Sequence, residues 1–583
     1  MDDRPWFASY PAGVPHTLAP YLRTTLYDGL TSAAERFPTA PAISYLGRHI
    51  RYRDLVTLVD RFSAVLASLG VRAGERVALV LPNCPQYVIA YYATLRLGAV
   101  VVGNNPLYTD RELAHQLADA RPTVCVALDS FYPKLARIRD EVGLRELIVT
   151  KVTDFAPLPV RWLAPIRFRK EARAHGEPWP AVPADAPVRW WGRAVREAGP
   201  TPPAASPGPD DLAGLIYTGG TTGLAKGAML SHRNLVANVL QARAWFVDAV
   251  DGRESILCVI PFFHAYGMTV GMNFGIHVGA KLVLVPRFDV DGVLRLIDKE
   301  HVTMLPGVPR IYIAINERAS TSRSDLHSIR ACLSGAAPLP DAVAEKFEAI
   351  TGGLLVEGYG LTETSPITHA NPLDGVRRSG TIGLPVPDTD CRLVDVENAT
   401  APVPAGGSGE LMVSGPQVML GYWNHPDETE AAIKTDADGT RWFLTGDVAT
   451  VDEAGYFRIV DRKKEMIDVS GFKVFPSDVE EVLYRHPKVM KAAVVGVPDP
   501  KTGEAVKAFV VLHPGEHATA DEILEFCRDP KNGLAGFRVP TSVEFRDSLP
   551  ETLVGKVLRR ELREESVAHS ARPFGGPAGA TAS

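Results

Sequence analysis

Residues 217–227 read YTGGTTGLAKG, and the fold and chemistry of the chain are read outward from them. The stretch places Thr218, Thr221, Thr222, four glycines and Lys226 between an apolar run at 212–216 and a helix expected to begin near Ser231. A strand-to-helix turn short of side-chain bulk and rich in hydroxyls can wrap backbone N–H groups around phosphate oxygens, with the lysine adding positive charge. The spacing G-x-x-x-x-G-K-[ST] is absent, because Gly227 follows Lys226, so this is not a Walker-type loop. The plain alternative is a flexible Gly/Thr surface turn. Other pieces of a nucleotide site, spread along the chain, weigh against it.

With 583 residues, 46% of them hydrophobic and 22% charged, the chain has the composition of a globular protein with several cores. Its 62 Lys and Arg stand against 68 Asp and Glu, a net charge of −6. No global basic field points to nucleic acid, and a phosphate-rich ligand must meet local positive charge. Cys84, Cys125, Cys258, Cys332, Cys391 and Cys527 are scattered, without a C-x-x-C pair. They read as reduced core residues of a cytoplasmic protein. The opening MDDRPWFASYP lacks a basic and then apolar leader, so secretion is not expected.

From 27 to about 150, helical segments at 30–36, 52–69 and 85–97 alternate with β-like runs at 42–45, 76–81 and 123–128. In the second helix Leu55, Leu58, Val59, Phe62, Leu66 and Leu69 recur at three- and four-residue intervals, and Gly70 suits its end. This alternation predicts an α/β fold, a parallel sheet with helices on both faces. Residues 154–209 are proline-rich and carry a basic cluster at Arg167, Arg169, Lys170 and Arg173. They read as a linker or as a segment lying on an anionic membrane surface.

Residues 255–280 contain no Asp, Glu, Lys or Arg and space Gly267, Gly271, Gly275 and Gly279 four apart. A membrane helix would carry such a row, but Pro261, His264, Asn273 and His277 suit a buried helix better. Beyond residue 462 a small unit follows, with strands at 492–497 and 506–512 and a helix near 521–527. The tail SVAHSARPFGGPAGATAS, 566–583, has the composition of a disordered segment.

Four segments in order resemble the adenylate-forming superfamily, which activates carboxylic acids with ATP. They are YTGGTTGLAKG, GYGLTETSP at 358–366, FLTGDVA at 443–449 with RIVDRKKE at 458–465, and LPETLVGKVLRREL at 549–562. The layout, with PWFASYPAGVPHTL at the start, is most similar to bacterial long-chain fatty-acid–CoA ligases. The resemblance implies a large α/β N-terminal domain, 1–461, with helix-covered sheets and a β-rich subdomain. It also implies a small mobile α+β C-terminal domain, 462–565, ahead of the tail at 566–583.

The same resemblance assigns roles. Thr218, Gly219, Gly220, Thr221, Thr222, Gly223 and Lys226 would hold the β- and γ-phosphates of ATP. Glu363 would bind Mg²⁺ and Thr362 would meet the α-phosphate. Tyr359 would stack on adenine beside Gly335, Ala336 and Ala337, and Asp447 with Arg462 would hold the ribose. Lys556 would be the catalytic lysine, placing positive charge where the substrate carboxylate meets the α-phosphate. Lys464 would be the domain hinge and Gly471 would line the coenzyme A tunnel. PFFHAYGM makes His264 a neighbour of the acyl pocket, and Gly267, Gly271 and Gly275 on one helical face would leave a groove for the aliphatic tail. Gly219, Ala225, Glu551 and Val554 depart from the usual serine, proline, lysine and serine at their positions. None of these departures removes an essential group.

The implied function is an AMP-forming acid–thiol ligase whose partners are a medium- or long-chain fatty acid, ATP and coenzyme A. The resemblance leaves open a homodimer and a peripheral membrane contact. Alternatives are an acyl-AMP ligase that loads a carrier protein, an aryl or short-chain acid ligase, and an adenine-nucleotide sensor without chemistry. A membrane scaffold built on 255–280 is a further one.

Overall fold

The structure is a computed structural model. It describes all residues except 1–3, 22–23, 164–181, 219–224, 400, 405, 530, 532–533, 535, 552–556 and 571–583, and side chains are described up to residue 567. The chain divides into two compact units, one of residues 1–391, 413–444 and 453–456, the other of 392–412, 445–452 and 457–583. The second unit therefore holds the chain from 457 onward together with two segments that precede it.

The first unit is built on two large sheets. One has eight strands in the order Gly421–Tyr422, Lys226–Ser231, Leu212–Thr218, Val100–Gly103, Arg76–Val80, Val124–Leu128, Glu146–Thr150 and Arg189–Trp190. From Leu212–Thr218 onward its neighbours run parallel. The other has nine strands, a parallel centre from Leu354–Gly360 to Pro41–Tyr45 and antiparallel pairs at both edges. Parallel strands need helical crossovers, which the alternating sequence supplies. On the eight-stranded sheet, Leu113 and Leu117 of helix Asp110–Ala120 and Leu135 and Ile138 of Tyr132–Ile138 pack with Val80, Val102 and Leu215. Helix Pro85–Arg96 is buried at every residue.

Local signals explain where these helices start. Thr25 with Asp28, Thr109 with Glu112 and Ser231 with Asn234 form reciprocal caps at the starts of Leu26–Arg36, Asp110–Ala120 and His232–Trp245. Helix Tyr52–Ser68 is followed by Gly70 at φ +92°, the left-handed geometry expected just past a helix end.

In the second unit, Gly503–Leu512 pairs with Val489–Asp499, with Ile467–Val469 and, in parallel, with Ser542–Phe545. Side chains alternate across this sheet. Ala492 and Val494 join Val479, Leu483, Ile523 and Cys527 from helices Pro476–Tyr484 and Ala520–Arg528. Ala493 and Val495 face the other way, toward Phe509, Leu549 and Leu562 of helix Arg559–Ser570. This is the α+β unit expected beyond residue 462.

Three expectations change. The tail expected to begin at 566 starts inside helix Arg559–Ser570, where Ser566 is buried. The phosphate-loop stretch is not a strand-to-helix turn. It joins two antiparallel strands, Leu212–Thr218 and Lys226–Ser231, with Thr218 opposite Lys226, and the helix follows only after the second strand. The apolar Ala228, Met229 and Leu230, which bring two buried and one half-buried side chain to the sheet, make this segment a strand. Nor is the uncharged run one helix: it is the strand Ser255–Cys258, a turn, the π-helix Gly267–Asn273 and the short helix Phe274–His277. Among the described residues no helix is long and apolar enough to cross a membrane.

Candidate active site

The described part of the phosphate-loop stretch is anchored on both sides. Tyr217 donates from its hydroxyl to Asp119 at 2.6 Å, and the carbonyl of Gly227 accepts from the amide of Trp423 at 2.8 Å. Thr218 closes one strand and Lys226 opens the other. Gly219, Gly220, Thr221, Thr222 and Gly223 lie outside the described residues. The Lys226 ammonium pairs with Glu428 and stands 4.8 Å from the ring centroid of Tyr422.

The second element is the turn Thr362–Thr364, which follows strand Leu354–Gly360 and packs against both strands of the loop hairpin. Thr362 and Glu363 are half-buried there. Glu363 accepts at Oε1 from the Tyr422 hydroxyl at 2.8 Å, and its carbonyl accepts from the amide of Met419 at 2.8 Å. The structure thus packs the Thr362–Thr364 turn on the loop hairpin and brings Lys226 and Glu363 together against Tyr422, a tyrosine that the motifs do not single out. Desolvation and the Glu363 carboxylate push the Tyr422 hydroxyl's pKa up, so it remains a donor.

Gly335, Ala336 and Ala337 follow the end of strand Ala331–Ser334, at the carboxyl edge where α/β sheets place ligands. Ala336 holds φ +68°, a left-handed conformation that a side chain rarely adopts and that concentrates at functional sites. A Cβ on Gly335 would meet the Tyr266 ring at 3.4 Å. The half-buried Tyr359 makes an edge contact with His369, centroids 5.9 Å apart.

The segment IPFFHAYGM is held by a buried residue that sequence reading passed over. Asn83 donates to the carbonyls of Cys258 and Ile260, both at 2.9 Å, and accepts from the amide of Phe262 at 2.8 Å. Tyr87 and Tyr266 add hydroxyl bonds to Phe262 and Leu333 carbonyls at 2.9 and 2.5 Å. His264 is half-buried, its pKa lowered by desolvation, and Nδ1 accepts from the amide of Tyr266 at 3.3 Å.

The glycine row does not present one groove. A Cβ at Gly267 would lie 2.3 Å from the Pro261 carbonyl oxygen, and one at Gly275 would lie 2.5 Å from Leu282 Cδ2. These two permit close packing. At Gly271 the nearest atoms are Phe262 Cε1 at 3.6 Å and Cys258 Sγ at 3.9 Å. The π-helical turns also remove the i, i+4 register that would align the row.

In the second unit, Asp447 lies opposite Arg462 on paired strands, is 2% exposed, and meets the Arg462 guanidinium at 3.0 Å. The neighbouring Lys463 pairs with Glu410 at 2.8 Å. Lys464 is exposed in the short turn Lys463–Glu465, between two strands. Gly471 turns the chain at φ +86°, its amide donating to Asp468 at 2.7 Å, with no atom within 4 Å of a Cβ placed on it. Lys556 lies outside the described residues.

Residues 30–423 match the AMP-binding enzyme family and residues 478–556 the AMP-binding enzyme C-terminal domain. A long-chain-fatty-acid–CoA ligase of Bacillus subtilis (strain 168) is 43% identical over 568 residues, 97% of this chain and 98% of that protein. One of Yersinia pestis with the same name is 40% identical over 582 residues, again 97% and 98%. Among solved structures, ATP-bound MatB from Rhodopseudomonas palustris superimposes with a TM-score of 0.79 at 30% identity, covering 93% of this chain and 99% of its own. With matched motifs in order, a matching fold and relatives aligned nearly end to end, the chain belongs to the AMP-binding enzyme family of adenylate-forming enzymes.

Proposed function

We propose that this chain activates a medium- or long-chain fatty acid with ATP and joins it to coenzyme A. In the first half-reaction a carboxylate oxygen attacks the α-phosphorus, the bond to the bridging oxygen breaks, and acyl-AMP and pyrophosphate form. In the second, the deprotonated thiol of coenzyme A attacks the acyl carbonyl, and AMP leaves with the electrons of the C–O bond. The reading is carried by the meeting of Lys226 and Glu363 around Tyr422, in a chain aligned end to end with two long-chain-fatty-acid–CoA ligases.

In this reading Thr218, Lys226 and the loop between them grip the β- and γ-phosphates, and Thr362 meets the α-phosphate. Glu363 holds Mg²⁺. Its carboxylate oxygens are hard ligands, and no group of three or more His, Cys, Asp or Glu side chains placed to hold a metal ion occurs among the described residues. A single hard carboxylate of this kind suits Mg²⁺. When bound, such an ion would offset the negative charge of the pyrophosphate leaving group. Tyr359 with 335–337 takes the base, and Asp447, oriented by Arg462, takes the ribose hydroxyls. Lys556 supplies charge at the α-phosphate. Lys464 is the hinge between half-reactions, Gly471 leaves room for the pantetheine arm, and His264 and Gly271 border the acyl chain.

Helical residues 158–163 expose Leu158, Trp162 and Leu163 at 69%, 76% and 64%. Beside Arg161 they suit a peripheral contact with an anionic lipid surface, which Trp162→Ser should weaken in a vesicle-binding assay. The function itself is tested with acids from acetate upward, scored by coenzyme A-dependent AMP release. Release that rises with chain length supports the reading. Activity confined to short or aromatic acids, or AMP release indifferent to coenzyme A, would sink it.

A further inference from the structure

We propose that Tyr422 is a positioning residue that couples the metal-binding carboxylate to the phosphate-loop lysine, an inference that rests on the assignment of Glu363 to Mg²⁺. Two independent contacts define it. The Tyr422 hydroxyl donates to Glu363 Oε1 at 2.8 Å, and the ring lies under the Lys226 ammonium, 4.8 Å from its centroid. Glu428 pairs with the same ammonium from helix Pro426–Ala432.

The backbone around Tyr422 is fixed from three sides. In the short strand Gly421–Tyr422 it pairs with Ala228, two residues from Lys226, so both side chains project from one face of the sheet. Its amide donates to Thr429 Oγ1 at 2.8 Å. The Met419 amide bonds the Glu363 carbonyl, and the Leu420 and Trp423 amides bond the carbonyls of Met229 and Gly227. The tyrosine is therefore tied to the metal turn and to the loop hairpin at once. Phenylalanine would fill the same 9%-exposed position, so only the bond to Glu363 requires the hydroxyl. An outer hydrogen bond of this kind sets the direction in which a ligating carboxylate presents its lone pairs.

The test reads metal binding without turnover. Mn²⁺ is titrated into the full-length protein saturated with α,β-methylene-ATP and followed by electron paramagnetic resonance, for wild type, Tyr422→Phe, Glu363→Gln and the double variant. Metal-free affinity for the same analogue is measured alongside. Tyr422→Phe should weaken Mn²⁺ binding about 10-fold or more and leave metal-free nucleotide affinity unchanged. The double variant should bind Mn²⁺ no worse than Glu363→Gln, because the hydroxyl acts through that carboxylate. If Glu363→Gln weakens Mn²⁺ binding and Tyr422→Phe does not, the coupling is wrong while the metal assignment stands. If neither variant weakens it, the metal assignment fails and the coupling falls with it. Equal loss of metal-free and metal-bound affinity in Tyr422→Phe would mark a purely structural role and overturn the proposal.

Discussion

Gly271 and Gly275 lie one helical turn apart in the sequence, yet the structure gives an added methyl group opposite consequences at the two sites. At Gly275 the new Cβ would stand 2.5 Å from Leu282 Cδ2 and 3.1 Å from Ile256 Cδ1. Both neighbours are fully buried on adjacent strands of the nine-stranded sheet, so neither can swing into solvent. Overpacking of this kind costs about 1–3 kcal/mol. At Gly271 the nearest atoms, at 3.6 and 3.9 Å, are in ordinary contact. Replacing glycine by alanine in a helix gains up to about 1 kcal/mol at either site, so comparing the two variants isolates the packing term. Urea denaturation should place Gly271→Ala at or above wild type and Gly275→Ala below Gly271→Ala by about 1–3 kcal/mol. If Gly271 borders the acyl chain, Gly271→Leu adds four carbons where the chain lies, roughly 3.2 kcal/mol or about 200-fold in kcat/KM for the longest acids. Equal destabilisation at both positions, or an unchanged chain-length profile in a folded Gly271→Leu, would refute the reasoning.

Lys464→Pro should spare pyrophosphate exchange and slow thioester formation, since proline stiffens the turn Lys463–Glu465 that the hinge reading requires to move; equal losses in both steps, measured separately, would argue against a hinge. Arg559 bonds Glu465 and, at 2.7 Å, the buried Glu480, whose Oε1 also accepts from the Val494 amide. Arg559→Met strands that carboxylate at a cost of about 3–5 kcal/mol, and faster hydrogen exchange at Val494 should report it. Burial lowers the pKa of His232 from 6.5 to about 4 and that of His369 to about 3. Between pH 6.5 and 4 the unfolded chain therefore binds protons that the native chain does not, and stability must fall as pH falls. His232 accounts for roughly 3 kcal/mol of that loss by pH 4, which a pH series of urea melts on wild type and His232→Gln should resolve.

Much of this architecture was legible because its causes are local. The apolar spacing in 52–69 and the glycine after it give helix Tyr52–Ser68 and its end, and the helix expected near Ser231 begins there, capped by Ser231 with Asn234. What the residues hid was long-range. The stretch at 217–227 reads as a strand-to-helix turn, and only the pairing of Ala228–Leu230 with the preceding strand makes it a hairpin. The four-residue glycine spacing implied one face only for a regular α-helix, and the π-helix breaks that premise. Asn83 and Tyr422 carry no motif of their own. Their partners lie some 175–179 and 59 residues away, and only the fold joins them.

The claim at the centre of this account is that the chain forms an acyl-adenylate before any thiol is present, with Lys556 placing charge at the α-phosphate. The measurement is fatty-acid-dependent ATP–pyrophosphate exchange without coenzyme A, in wild type and Lys556→Ala, with nucleotide binding measured in parallel. One such charge contributes up to about 4 kcal/mol, so the variant should lose exchange by about 1,000-fold while still binding ATP. Near-normal exchange in Lys556→Ala, or release of ADP and phosphate in place of AMP and pyrophosphate by the wild type, would contradict it.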